Sequence, residues 1–194
     1  MVNNSDDISA ELATVDAVLA CAGSTRRVDA LALMWIKVEK QLRKLFCYLL
    51  YRNPAVSDAN LEEYVRVLAE ERRLSPGAFI KCFDALSTTS LRDIVGLDYD
   101  ANWREIKRIR RYRNTLLHGK ISGQKITSRQ LERDIVFLRR WVESVAKSCD
   151  QVIGYNGIGR NTFRKAKEKQ KITTQSPYGS ATDFKRWLSR QVTG

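Results

Sequence analysis

One short stretch of the sequence carries residue types that suit chemistry on a phosphodiester. Arg113, Asn114 and His118 lie within six residues of one another, and His118 is the single histidine of the chain. Residues four positions apart share a face of a helix, so Asn114 and His118 are expected side by side. The stretch therefore combines a fixed cation, an amide and an imidazole that can titrate near neutral pH.

RNA brings its own nucleophile, the 2′-OH beside each phosphodiester. A ribonuclease must align that hydroxyl, move protons and stabilise the charge that develops on the phosphate oxygens. His118 can move the proton and Arg113 can hold the oxygens. This chemistry needs no metal, and four widely spaced cysteines with one histidine offer no convincing metal cluster. We therefore predict no metal and no other cofactor.

The charge of the chain favours an anionic partner. The sequence has 34 Lys and Arg against 22 Asp and Glu, a formal net charge of +12. Such a surface attracts nucleic acid or an acidic membrane, and charge alone does not choose between them. Because the motif suits cleavage of RNA, we predict RNA as the ligand. The predicted substrate-binding residues are Lys107, Arg110, Arg111, Lys120, Arg160 and Arg164.

The spacing of apolar residues predicts an all-α fold. Apolar positions recur every three or four residues over long stretches, and no long run alternates apolar with polar residues. We predict an antiparallel bundle of four to five helices in residues 1–153. A long second helix over 26–51 forms its centre, a helix over 101–118 carries the motif, and a long helix follows from about 128 to 152.

Arg113 occupies an unexpected place on the motif helix. At about 100° per residue it falls in the middle of the apolar arc that contains Ile106 and Ile109. Burying an unpaired guanidinium is costly. Arg113 is therefore expected to meet an acidic partner, line a wet cleft or face another subunit. Glu39 is one candidate partner, although a surface ion pair within its own helix is the more ordinary role for that residue.

Residues 154–194 differ from the rest as a glycine-rich, basic C-terminal extension. Residues 151–194 hold nine Lys or Arg against two Asp or Glu. A short amphipathic helix is predicted near 181–191, with Phe184, Trp187 and Leu188 on its apolar face. This helix is expected to fold back onto the bundle or onto a partner. Whether the basic segment grips RNA or packs on the bundle is left open by the sequence.

The sequence also indicates where in the cell the protein is expected. No window approaches the roughly 18–20 continuous apolar residues of a membrane span. The N-terminus is polar and acidic, unlike a secretion signal. We expect a cytoplasmic protein without a membrane partner.

The stretch Arg113-Asn114-Thr115-Leu116-Leu117-His118 resembles the R-x4-H signature of the HEPN superfamily of ribonucleases. The helical bundle and the long second helix, with Trp35 to Arg43, are also similar to that family. The resemblance covers roughly residues 8–152. It implies a HEPN-like bundle and metal-independent RNA cleavage that leaves a 2′,3′-cyclic phosphate.

The resemblance further implies that the active site is shared across a homodimer. Carried over by position, Arg113 and His118 are the catalytic pair and Asn114 orients them. The family also suggests a toxin or defence component, with a cognate antitoxin as a candidate partner.

Three other interpretations remain open from the sequence. In one, the bundle is a non-catalytic HEPN-like module that binds RNA or a nucleotide, or only dimerises. In another, the motif helix is a solvated basic face whose terminal His118 caps carbonyl groups. DNA binding through the same helix is weaker, because no helix-turn-helix spacing frames it.

Overall fold

The described part of the chain is built from helices. The computed structural model describes residues 4–57, 59–71, 74–117, 126–158 and 178–193. These residues form eight α-helices and no β-strand, which confirms the all-α prediction. The helices are α1 (Asn4–Ala20), α2 (Arg26–Arg52), α3 (Leu61–Glu70), α4 (Pro76–Leu86), α5 (Leu91–Val95), α6 (Tyr99–Leu117), α7 (Ser128–Ile153) and α8 (Ala181–Thr193).

The central helix of the bundle is α2, which packs against α1, α4 and α7. Its apolar side chains recur at three- and four-residue spacing and so form one stripe along the helix. Burial of each large apolar side chain contributes roughly 1.5–3 kcal/mol to stability. The stripe is buried along its length, at Leu31, Trp35, Val38, Leu42 and Leu45.

Local chemistry determines where several helices begin and end. Ser75 and Thr127 each accept a hydrogen bond, through the side-chain oxygen, from a backbone N–H three residues into α4 and α7. The C-terminal cap of α7 is Gly154, whose φ of 72° lies in the left-handed region. Only glycine adopts that conformation without steric cost.

The segment directly after α7 is part of the core. Tyr155, Asn156 and Ile158 are buried, although they belong to the extension as delimited from the sequence. The buried Gln41 of α2 donates hydrogen bonds from Nε2 to the carbonyls of Val142 (2.9 Å) and Asn156 (3.2 Å). This one side chain therefore ties α2 both to α7 and to the segment that follows it.

A side chain at position 157 is expected to destabilise the fold. Its φ is 74°, and a Cβ there would lie 2.8 Å from side-chain atoms of Gln41 and Leu45. Gly157→Ala should therefore lower the free energy of unfolding by roughly 1–3 kcal/mol, measured by urea denaturation. Gly179→Ala is the matched control, because nothing lies within 4 Å of its Cβ position. An equal loss in both variants would contradict the close packing at Gly157.

The C-terminal helix α8 packs on α3 and α4. Phe184, Trp187 and Leu188 are buried there, with Phe184 fully so. The Phe184 ring lies 5.0 Å from the ring of Tyr64 and 4.9 Å from that of Tyr178, between centroids. The sequence left two possibilities for this helix, packing on the bundle or on a partner. In the structure it packs on the bundle.

Within the described residues, no helix combines the length and the apolar character that crossing a membrane would require.

Candidate functional site

Helix α6 carries the motif and presents two different faces. Ile106 and Ile109 are buried on the side that faces the bundle. Lys107, Arg110 and Arg111, three of the predicted substrate-binding residues, are exposed to solvent. The helix therefore combines a core face with a basic outer face, as its sequence predicts.

Arg113 lies half-buried near the C-terminal end of α6. Its guanidinium carbon is 5.9 Å from the centroid of the Trp35 ring, within the range of a cation–π contact. Its Nη1 donates a 2.9 Å hydrogen bond to Oδ1 of Asn114. The motif thus brings the predicted arginine and amide into direct contact.

The same guanidinium has a donor that is not satisfied. Nε of Arg113 is buried and has no hydrogen-bond partner, and no carboxylate of the described residues pairs with the group. Leaving a buried donor unpaired costs roughly 1–3 kcal/mol, and more when the group is charged. Such a group is expected where a ligand or a second subunit supplies the missing acceptor.

Glu39 does not form an ion pair with Arg113. Instead, its Oε1 accepts a 2.7 Å hydrogen bond from Nε1 of Trp35. The suggested Glu39–Arg113 pair is therefore wrong, and so is the alternative of a simple pair with a basic neighbour. Glu39 instead orients the indole ring over which Arg113 lies.

Several predicted site residues lie outside the described part of the chain. These are His118, Lys120, Arg160 and Arg164. Among the described residues, the site consists of Arg113, Asn114, Trp35 and the basic outer face of α6.

A buried carboxylate fastens α6 to α7. Asp134 of α7, at 2 % relative exposure, accepts a 2.5 Å hydrogen bond from Nη2 of Arg108 on α6. It also accepts hydrogen bonds from the hydroxyl of Tyr112 and, at 2.9 Å, from Nε2 of Gln130. The network holds the helix that bears Arg113 against the core.

Burial and the neighbouring charge shift the pKa of Asp134 in opposite directions. Burial raises the pKa of the Asp134 carboxyl, and the adjacent Arg108 guanidinium opposes that rise. The hydrogen bond to Glu105 raises the pKa of Arg108, so Arg108 stays charged. Asp134 was not among the site residues predicted from the sequence. The signal that could have found it is a charged residue on the apolar stripe of α7, next to Ile135.

Two of the four thiols are buried and are poor candidates for chemistry at neutral pH. Burial raises the pKa of Cys82 and of Cys149 to about 12. Both thiols therefore stay protonated, whereas the thiolate is the nucleophile and the metal ligand. Across the part of the chain that the structure describes, no group of three His, Cys, Asp or Glu side chains is arranged to hold a metal ion.

Comparisons of the chain with protein-family models, with curated proteins and with solved structures find no match.

Proposed function

We propose that the protein is a metal-independent endoribonuclease of the HEPN type. It cleaves RNA by attack of the 2′-OH on the adjacent phosphorus and leaves a 2′,3′-cyclic phosphate and a free 5′-OH. Two copies of the chain share the active site in a homodimer. The resemblance of the motif further suggests a toxin or defence role in the cytoplasm, with a cognate antitoxin.

The observation that carries the proposal is the environment of Arg113. Its Nε is buried without a partner, and no described residue accepts a hydrogen bond from Nη2. Trp35 and Asn114 contact the group, and no carboxylate of the described residues compensates its charge. The two non-bridging oxygens of a phosphodiester are acceptors that a guanidinium binds in two-pronged geometry. The charge and the free donors of Arg113 therefore suit a phosphodiester.

The chemistry divides between the two motif residues. Arg113 stabilises the negative charge that develops on the non-bridging oxygens as the O2′–P bond forms. His118 accepts the 2′-OH proton, and His118 of the second copy donates a proton to the departing O5′ as the P–O5′ bond breaks. The exposed Lys107, Arg110 and Arg111 bind neighbouring phosphates, and these ionic contacts weaken as salt is added.

The decisive assay incubates the full chain with a set of structured and single-stranded RNAs in excess EDTA. We expect cleavage to persist, because no step uses a metal. The products should end in a cyclic phosphate, detected by mass spectrometry or by resistance of the 3′ end to phosphatase. An RNA whose nucleotides all carry 2′-O-methyl groups should not be cut, because it lacks the nucleophile.

Other outcomes would point elsewhere. Binding of RNA without cleavage across the whole set would favour the non-catalytic binding module. Cleavage that stops in EDTA and returns with added Mg²⁺ would contradict the proposed mechanism.

A further inference from the structure

A second polar site lies between α6 and α7. It is an open cleft of about 420 Å³, within the range of roughly 300–1,000 Å³ that small-molecule sites occupy. The residues that line it are Glu105, Arg108, Gln130, Arg133, Asp134 and Phe137.

The lining of the cleft differs from the surface around it. Two carboxylates and two guanidinium groups balance one another within it, beside one aromatic ring. The neighbouring outer face of α6, with Arg104, Lys107 and Arg111, is exposed and uniformly basic. A balanced cleft next to a basic face suits a ligand with an uncharged polar part attached to a phosphate backbone.

Two groups in the cleft retain free hydrogen-bonding capacity. Nε and Nη2 of Arg108 both donate to Oε1 of Glu105, and Oε2 accepts no hydrogen bond from any described residue. Across the cleft, Arg133 donates only one hydrogen bond to the described residues, from Nη2 to Oε1 of Gln130 at 2.6 Å. The cleft therefore presents an open acceptor on α6 and several open donors on α7.

We infer that this cleft binds one unpaired guanine base of the RNA and confers base preference on the cleavage site. Guanine offers a guanidinium two adjacent acceptors, O6 and N7, and this is the commonest specific contact of arginine with a base. Its N1–H and N2–H groups are donors for the Oε2 of Glu105. The half-buried Phe137 supplies an apolar surface for the base.

The basic face of α6 is placed to bind the attached backbone. Arg104 and Arg111 are exposed and seven residues apart, about 10 Å along the helix at 1.5 Å per residue. Arg104 lies one turn before Arg108, a residue that lines the cleft. A nucleotide whose base enters the cleft thus keeps its phosphates close to these cations. This inference rests on the proposed function, because it takes RNA as the ligand.

The test measures binding of four 2′-O-methyl oligonucleotides to the full chain by fluorescence anisotropy. Each is a U-rich 8-mer with a single central G, A, C or U, and none can be cleaved. We expect the G-containing oligonucleotide to bind about 5-fold or more tightly than the others, the size of one good base contact. Arg133→Ala should abolish this preference while the melting temperature stays unchanged, because Arg133 is exposed.

Arg140→Ala is the matched control. Arg140 is also exposed on α7, two turns beyond Arg133 on the same face, and it does not line the cleft. Arg140→Ala removes the same charge as Arg133→Ala, so a general loss of RNA affinity should be equal in both variants. The preference for G should persist in Arg140→Ala only. In a second variant, Glu105→Gln, the preference should also disappear.

Three results would overturn the inference. The first is equal binding of all four oligonucleotides by the wild-type chain, together with intact cleavage. The second is a G preference that survives Arg133→Ala and Glu105→Gln. The third is binding of GMP alone as tightly as the G-containing oligonucleotide, which would make a free nucleotide the ligand. Absence of both RNA binding and cleavage would instead contradict the proposed function itself.

Discussion

Arg113→Ala is expected to lower the rate of RNA cleavage by about 10²–10³-fold, the usual loss when one donor to a developing anion is removed. The fold should survive, because Arg113 forms no ion pair with the described residues, and its loss removes one unsatisfied buried donor. The measurement is single-turnover cleavage of an end-labelled RNA, with the melting temperature followed by circular dichroism.

Two further variants sharpen this prediction. Arg113→Lys keeps the charge but loses the planar, two-pronged donor geometry, so it should recover little of the lost rate. Arg186→Ala is the control for the loss of one arginine, since its exposed side chain pairs with Asp183 on α8. Cleavage by Arg113→Ala at the wild-type rate would contradict the role of Arg113.

His118→Ala should abolish cleavage while most RNA affinity is retained, because the imidazole moves protons rather than holding the backbone. The two motif residues act in the same step, so their losses should not add. The double variant Arg113→Ala/His118→Ala is expected to be about as slow as the slower single variant. A double variant slowed by the product of both factors would mean that the residues act independently.

Asp134→Ala is expected to lower the free energy of unfolding by roughly 1–3 kcal/mol, the cost of leaving a buried polar group without its partner. The buried hydroxyl of Tyr112 loses its acceptor, and the partly exposed Arg108 loses one of its two carboxylate partners but keeps its hydrogen bonds to Glu105. The measurement is urea denaturation at neutral pH. Because the network holds α6 in place, cleavage measured well below the unfolding transition should also fall.

The control is Glu132→Ala on the same helix. Glu132 is half-exposed, and its ion pair with Arg27 is expected to contribute no more than about 1 kcal/mol. The double variant Asp134→Ala/Arg108→Ala tests the coupling directly, since it removes both charges and should be less destabilised than the sum of the single variants. Equal losses for Asp134→Ala and Glu132→Ala would show that the buried network does not hold α6.

Much of the fold could be predicted from local patterns. The three- and four-residue spacing of apolar side chains in α2 identifies which residues face the core, because helix geometry alone sets that spacing. The same argument predicts the apolar face of α8. Each depends on residues within one or two turns of one another.

The candidate site could be predicted only in part. The motif identifies Arg113 and Asn114 as site residues, and the basic outer face of α6 follows from the helical period. The residues that contact the site from other helices could not be predicted from the sequence. Glu39 is a candidate counter-ion of Arg113 by sequence, yet it accepts a hydrogen bond from Trp35 of its own helix. The carboxylate that holds α6 is Asp134, which lies on α7.

The sequence by itself thus determined the helical class, the buried stripes and the presence of an arginine on an apolar face, since all three depend on periodicity along one helix. Only the tertiary structure decided what that arginine meets. Three contacts depend on how helices and the segments after them pack together. They are the contact of Arg113 with Trp35, the hydrogen bonds that Asp134 accepts from Arg108 and Tyr112, and the close approach of Gly157 to Gln41. Helix crossing is set by packing between segments far apart in the chain, which no local pattern encodes.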